Sequence, residues 1–280
     1  MKKISFCFLL FLCSAKFFGQ LENELNRELI KTNKISARHT YEYNLKTSDS
    51  VLKNITLYDF KGYILQELLY NENGEVVYKY VTEKTEDNLT RTMVAYDQDG
   101  QLRSTTINKY DENGNQISYH QVSPTGDILN QQKRTYNDRG QNIELFNKDR
   151  NSNIFFKATE YYYREDGQYL KDVSFNPQGK ITAINEYEYD VNGNRIALYQ
   201  ALDNKKELVS TSEYNSKNQK IKHNRREINF ITRDGRVNFG EGMNMTTYSY
   251  DREGNLIEEV EYKKNEMKKL TRYFYKKHTE

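Results

Sequence analysis

The chain has 280 residues, of which 36% are hydrophobic even with tyrosine counted, and it carries 24 tyrosines, no tryptophan and only two prolines. Its 42 basic and 40 acidic residues nearly cancel, which excludes the strongly positive surface that nucleic acid or an anionic membrane demands. So few aliphatic residues cannot fill a thick core, while the many β-formers argue against disorder; a thin sheet covered by tyrosine rings and by the alkyl stems of Lys, Arg and Glu is expected.

Met1-Lys2-Lys3 is a basic start, and residues 4–12 are an apolar run too short to span a bilayer and followed by small residues. Residues 1–19 therefore read as a secretory signal peptide, with cleavage after Ala15 or Gly19. A lipid anchor is disfavoured, because Leu12 rather than a small residue precedes Cys13. Both cysteines, Cys7 and Cys13, lie in this segment, so a mature chain without thiol, disulfide or Cys-based metal site is expected. Removing Lys2, Lys3 and Lys16 leaves 39 basic against 40 acidic residues. The expected location is outside the cytoplasm, in the periplasm, at the cell surface or secreted, with no transmembrane segment in the mature chain.

Residues 20–57 read as a short helix and a first hairpin. Leu21, Leu25 and Leu29 recur every four residues with charges between them, the pattern of an amphipathic helix suited to covering the open end of a sheet. Residues 37–43 and 51–58 then flank the polar run Lys46-Thr47-Ser48-Asp49-Ser50.

From residue 58 to 280 one small unit is used many times. Tyr189-Asp190-Val191-Asn192-Gly193-Asn194-Arg195-Ile196 recurs as Tyr96-Asp97-Gln98-Asp99-Gly100-Gln101-Leu102, Tyr110-Asp111-Glu112-Asn113-Gly114-Asn115-Gln116-Ile117 and Tyr250-Asp251-Arg252-Glu253-Gly254-Asn255-Leu256-Ile257. Asp or Asn, two polar residues and then Gly is the signature of a type I turn whose Gly takes positive φ, a turn that closes β-hairpins. Tyr before and Ile or Leu after are strand residues. Tyr110 to Tyr136, Tyr163 to Tyr189 and Tyr70 to Tyr96 are each 26 residues apart. Such a period predicts an all-β fold, an elongated, twisted antiparallel β-meander of repeated hairpins that returns to one edge once per repeat. The other edge is expected to be looser, since 122–126 and 201–205 are degenerate turns.

Tyr214 to Tyr250 breaks the rhythm at 36 residues, lengthened on both sides of Asp234-Gly235. This predicts an extended hairpin near 219–249. A two-residue turn at Asp234-Gly235 would set Arg233 beside Arg236 and Phe230 opposite Phe239. Arg225, Arg226, Phe230, Arg233, Arg236, Phe239 and Met243 are accordingly candidate binding residues. The last strand, 270–278, carries Arg272, Lys276 and Lys277, and reads as a lysine-rich edge that discourages strand-to-strand aggregation; an edge that docks an anion or a partner is the other reading.

Ordinary catalytic machinery is not legible. Asp111-x-Asn113-x-Asn115 and Asp190-x-Asn192-x-Asn194 resemble a calcium loop, but their glycines stand at the fourth position rather than the sixth, and Val122 and Ala201 stand where a bidentate Glu is needed. His39, His120, His223 and His278 have no ligand spacing, and there is no GxSxG elbow. Carboxylates are plentiful but sit mostly in turns and at exposed strand positions. No metal or cofactor is expected, and no enzyme. Tyr187 and Tyr189 alternate onto one face, where rings can ladder across strands or form a platform for a sugar or a protein. A lipid-facing barrel needs an apolar band, and 255–262, with Glu258, Glu259 and Glu261, offers none.

The repeated Y-D-x-x-G-N-x-I unit resembles the YD repeat of Rhs-type proteins, over most of 58–275. In large Rhs proteins such repeats build a shell around a toxin or contribute to surface recognition. This chain is far too short for a closed shell and has no Asp-Pro self-cleavage signature. The resemblance implies a small exported repeat protein. Its expected work is binding a protein or glycan of the envelope or extracellular space through the tyrosine-rich face and the extended hairpin. A structural component without a ligand and a carbohydrate-active enzyme are the alternatives.

Overall fold

The computed structural model describes residues 27–149, 152–202, 205–231 and 237–279. The signal-peptide reading, and Leu21 and Leu25 of the expected helix, lie outside them. After a helical turn at 27–32 the described residues form eighteen strands: β1 (Ile35–Tyr43), β2 (Ser50–Tyr58), β3 (Ile64–Tyr70), β4 (Val76–Lys84), β5 (Thr90–Asp97), β6 (Leu102–Tyr110), β7 (Gln116–Val122), β8 (Ile128–Tyr136), β9 (Asn142–Lys148), β10 (Phe155–Tyr163), β11 (Tyr169–Phe175), β12 (Ile181–Tyr189), β13 (Arg195–Leu202), β14 (Lys205–Tyr214), β15 (Lys220–Ile231), β16 (Val237–Tyr250), β17 (Leu256–Lys263) and β18 (Glu266–Lys277).

They belong to one antiparallel sheet whose order follows the chain. The expected first hairpin is present, with Ala37 opposite Leu57 and Tyr43 opposite Ser50. The other edge of β1 is also occupied: it pairs with β18, His39 opposite Phe274 and Tyr41 opposite Arg272. The strand order is thus that of a closed antiparallel β-barrel and not of an open meander. Two strands that would otherwise show unpaired N–H and C=O groups to water satisfy each other instead. This corrects the reading of 270–278 as an aggregation-blocking free edge, because its backbone is paired. Of the expected helix, only the part from residue 27 onward is described. Ile30 packs with Ile35, Tyr58 and Tyr275.

The chain divides into two compact units, residues 141–247 with 261–266, and residues 23–140 with 248–260 and 267–280. In both, the repeat turns form as their residues dictate. The Asp190 backbone N–H donates to Asn194 O at 2.9 Å, and Gly193 N, at φ 82°, donates to Asp190 O at 3.1 Å. The Asp190 carboxylate receives Asn192 N at 2.9 Å, Asn194 N at 2.8 Å and Asn194 Nδ2 at 2.9 Å. Asp111 with Asn115 and Asp251 with Asn255 repeat the arrangement. The oxygens that resemble calcium ligands are spent on the turn. The Asn194 amide, ahead of the backbone donors, holds the Asp190 carboxyl below its ordinary value.

The tyrosine before the turn has a second task. Tyr136 Oη donates to Gln116 O at 2.8 Å, Tyr163 to Asn142 O at 2.9 Å, Tyr214 to Arg195 O at 3.1 Å and Tyr275 to Leu256 O at 2.7 Å. Each acceptor follows directly on the preceding turn of the same edge, so in these four cases the tyrosine latches its repeat to the one before. Gln141 Nε2 to Gly167 O at 3.1 Å and Asn194 Nδ2 to Asn218 Oδ1 at 3.0 Å link successive turns in the same way. Tyr189 differs from these four: its hydroxyl is buried without a protein partner among the described residues, and burial pushes its pKa up to about 12. Tyr214→Phe should therefore lower stability by about 1 kcal/mol, and Tyr189→Phe by a few tenths at most. Urea midpoints check this; equal losses would disprove the latch.

Candidate functional site

Alternation along the strands gives each unit a well-buried face and an exposed one. In the 141–247 unit the buried face carries a row of polar residues. Tyr161 on β10 stands opposite Asp172 on β11, which stands opposite Asn185 on β12, which stands opposite Gln200 on β13. Asp172 is fully buried. Its Oδ2 accepts from Tyr169 Oη and Tyr187 Oη, each at 2.8 Å, and its Oδ1 from Asn185 Nδ2 at 2.9 Å. Gln200 Nε2 extends the row to Asn185 Oδ1 at 3.2 Å. Burial raises the Asp172 carboxyl, against the lowering effect of its three donors. The rings of Tyr161, Tyr169 and Tyr187 enclose the carboxylate with Leu145, and Tyr163, Tyr189 and Leu198 pack around them. This cluster is sealed from solvent and holds the sheet together. Tyr187, expected on a binding platform, belongs to that core, as does the half-buried Tyr189.

The extended hairpin is present: β15 and β16 run 12 and 14 residues, where β11 and β12 run 7 and 9. Its register differs from the expected one. Phe230 stands opposite Asn238, and Phe239 opposite Ile228, because the ladder is irregular between Arg226 and Ile228 and again between Ile228 and Phe230. Ile231 pairs with Val237, and the expected two-residue turn at Asp234-Gly235 lies outside the described residues. Arg233 and Arg236 lie outside the described residues. Arg226 and Phe239 are brought together, the guanidinium 5.3 Å from the ring centroid. Arg226 also donates to Gly240 O at 3.0 Å and pairs with Glu207 at 2.9 Å, so it braces the hairpin against β14. Met243 stands opposite Arg226 and is exposed, while Arg225 stands opposite Ser210 and Asn244.

The most developed exposed site lies in the other unit, where β1 meets β18. Alternate residues of β1 put His39, Tyr41 and Tyr43 on one face, and the register sets Phe274 opposite His39 and Arg272 opposite Tyr41. Tyr41 and Phe274 meet edge to face at 5.5 Å and 86°. The Arg272 guanidinium lies 4.9 Å from the Tyr43 ring centroid and its Nε bonds Glu258 at 2.9 Å. His39, Tyr41, Tyr43, Ser50, Phe274, Tyr275 and Lys276 line a shallow groove of about 490 Å³. Phe274 remains 50% exposed, which for a ring already in an aromatic pair leaves one face open to a ligand. Desolvation first, and then the Lys276 charge, lower the His39 pKa. Sequence reading missed this groove. Its signal was the alternation His39-x-Tyr41-x-Tyr43, but nothing local says that β18 is the neighbour of β1.

No family model matches the chain, so the resemblance to YD repeats rests on the repeated turns themselves, and no curated protein matches it. Among solved structures, a porin-like protein from Bacteroides uniformis is 13% identical, with 86% of this chain and 98% of that chain covered and a TM-score of 0.41. A protein of unknown function from Bacteroides fragilis is 11% identical over 64% of this chain and 95% of that chain, with a TM-score of 0.15. A domain named for outer-membrane lipoprotein sorting, from Vibrio parahaemolyticus, is 11% identical over 90% and 91%, with a TM-score of 0.16. Values this low identify neither a family nor a function.

Proposed function

We propose that the chain is an exported, non-catalytic β-repeat protein that binds a glycan of the cell envelope or extracellular space in the groove between β1 and β18. The observation that carries this reading is the groove's lining, which combines aromatic rings with hydrogen-bonding tips and, as lined by the described residues, includes no aliphatic side chain. A sugar ring needs that combination, a flat apolar surface for its C–H face and donors and acceptors for its hydroxyls. The volume is that of a small-ligand site. The basic start and apolar run of residues 1–19 support export.

A water-facing surface is favoured over a lipid-facing one. On the exposed face of β10 to β14, Lys206 pairs with Glu186 at 2.7 Å and Lys157 with Glu160 at 3.1 Å, charges that a bilayer would penalise. No helix among the described residues is long and apolar enough to cross a membrane, a statement that does not bear on strands. The test is binding of residues 20–280 to a glycan array followed by titration calorimetry. Phe274→Ala should weaken the interaction roughly tenfold or more, while replacing 226–243 by a short turn should leave it unchanged. Absence of any glycan binding by the wild type would sink the reading.

A further inference from the structure

The groove also has a sign. Its one full charge is the Lys276 ammonium, placed opposite Ala37 in the ladder. Among the described residues Lys276 forms no salt bridge, whereas the neighbouring cation of the same strand, Arg272, is committed to Glu258 and Tyr43. Among the described residues no Asp or Glu lines the groove. His39 sits across from Phe274, its pKa lowered by burial first and by the Lys276 charge second. An open aromatic ring flanked by an uncommitted ammonium, with no carboxylate facing it, is complementary to a ring that carries a negative charge.

Resting on the glycan-binding reading above, we infer that the groove selects an acidic saccharide, with one pyranose stacked on Phe274 and its carboxylate or sulfate ester on Lys276. Charge on the ligand is thus a requirement for full affinity. The aromatic contact is shared by neutral sugars and gives the groove its general affinity; the ammonium gives the preference.

The experiment uses residues 20–280 and three defined probes: a trigalacturonate, its fully methyl-esterified form, and a sulfated trisaccharide, each titrated into wild type, Lys276→Gln and Phe274→Ala. The wild type should bind an acidic probe roughly tenfold or more tighter than the methyl ester, as one charge-assisted hydrogen bond provides. Lys276→Gln should remove that preference, bringing the acidic probes down to the affinity of the methyl ester for the same variant, and Phe274→Ala should weaken all three. The two acidic arms distinguish a carboxylate from a sulfate. Equal binding of trigalacturonate, sulfated sugar and methyl ester overturns the acidic-saccharide inference and leaves the glycan-binding reading standing. Failure of every probe, with a negative glycan array, overturns both. Circular dichroism of the variants, which replace exposed side chains, separates loss of binding from loss of fold.

Discussion

Asp172→Ala is expected to cost roughly 3–5 kcal/mol of stability, against about 1 kcal/mol for Asp172→Asn. Alanine leaves Tyr169 Oη, Tyr187 Oη and the Asn185 amide as buried donors with their shared acceptor gone. Asparagine keeps an acceptor oxygen and the side-chain shape, and the hydroxyls can turn to suit it. The pH dependence has a defined sign. Burial raises the Asp172 carboxyl above its unfolded value, so its contribution is fully present below the unfolded pKa, near 4, and is lost as pH rises through the folded one. Measured as the difference from Asp172→Asn, the wild-type advantage should be largest around pH 4 and shrink toward neutrality. A gap that widens with pH would mean that the three donors outweigh burial. Turn aspartates such as Asp190 and Asp111, whose pKa values are lowered, act in the opposite sense and cancel in this comparison.

Gly62→Ala should lower stability by about 3 kcal/mol, the second-largest single effect. Gly62 has φ +79°, and a Cβ there would lie 2.5 Å from the carbonyl oxygen of Arg27 and 3.0 Å from its Cγ. Gly114 has nearly the same backbone, φ +82°, with nothing within 4 Å of the would-be Cβ, so Gly114→Ala carries only the left-handed strain, about 1 kcal/mol. The excess at Gly62 measures how firmly the helical turn 27–32 is seated. That seating rests on Ile30 in the cluster with Ile35, Tyr58 and Tyr275, and on Arg27, which stacks on Tyr63 at 5.0 Å. Equal urea midpoints for the two variants would show that the turn yields without cost.

The strands and turns were legible because each repeat states its own turn chemistry: Asp190, Gly193 and Asn194 act within five residues of one another. The extended hairpin was legible for the same reason, as a spacing, but its register was not, since the irregularities around Ile228 have no composition signal. Closure was invisible in principle. A uniform repeat reads identically whether its first and last strands are free or paired, and only the lysines of β18 invited an answer, the wrong one. The buried Asp172 offered one clue, an acid in the middle of a strand, on the tyrosine-bearing face. The latch from Tyr214 to Arg195 O spans a whole hairpin, so the local pattern showed tyrosine as a strand residue and not as a tie. The groove depends on His39 meeting Phe274, two positions at opposite ends of the chain, and could be read only once the ladder of β1 was known.

The pairing of Ile35 with Lys277 has a kinetic consequence. Among the described residues the other strand pairings are between chain neighbours and close short loops, so hairpins can form quickly and in any order. The last one must bring together residues separated by almost the whole described chain, and its loop-closure entropy is paid before it gives any reward. Folding should therefore show a fast phase of hairpin growth and a slow phase of ring closure, during which β1 and β18 each present a bare edge to other molecules. Concentration-dependent refolding yield, rather than equilibrium stability, is where this architecture is vulnerable. A circular permutant that joins β18 to β1 by a short turn and begins and ends within 232–236 should keep the slow phase and move it to the pairing of β15 with β16.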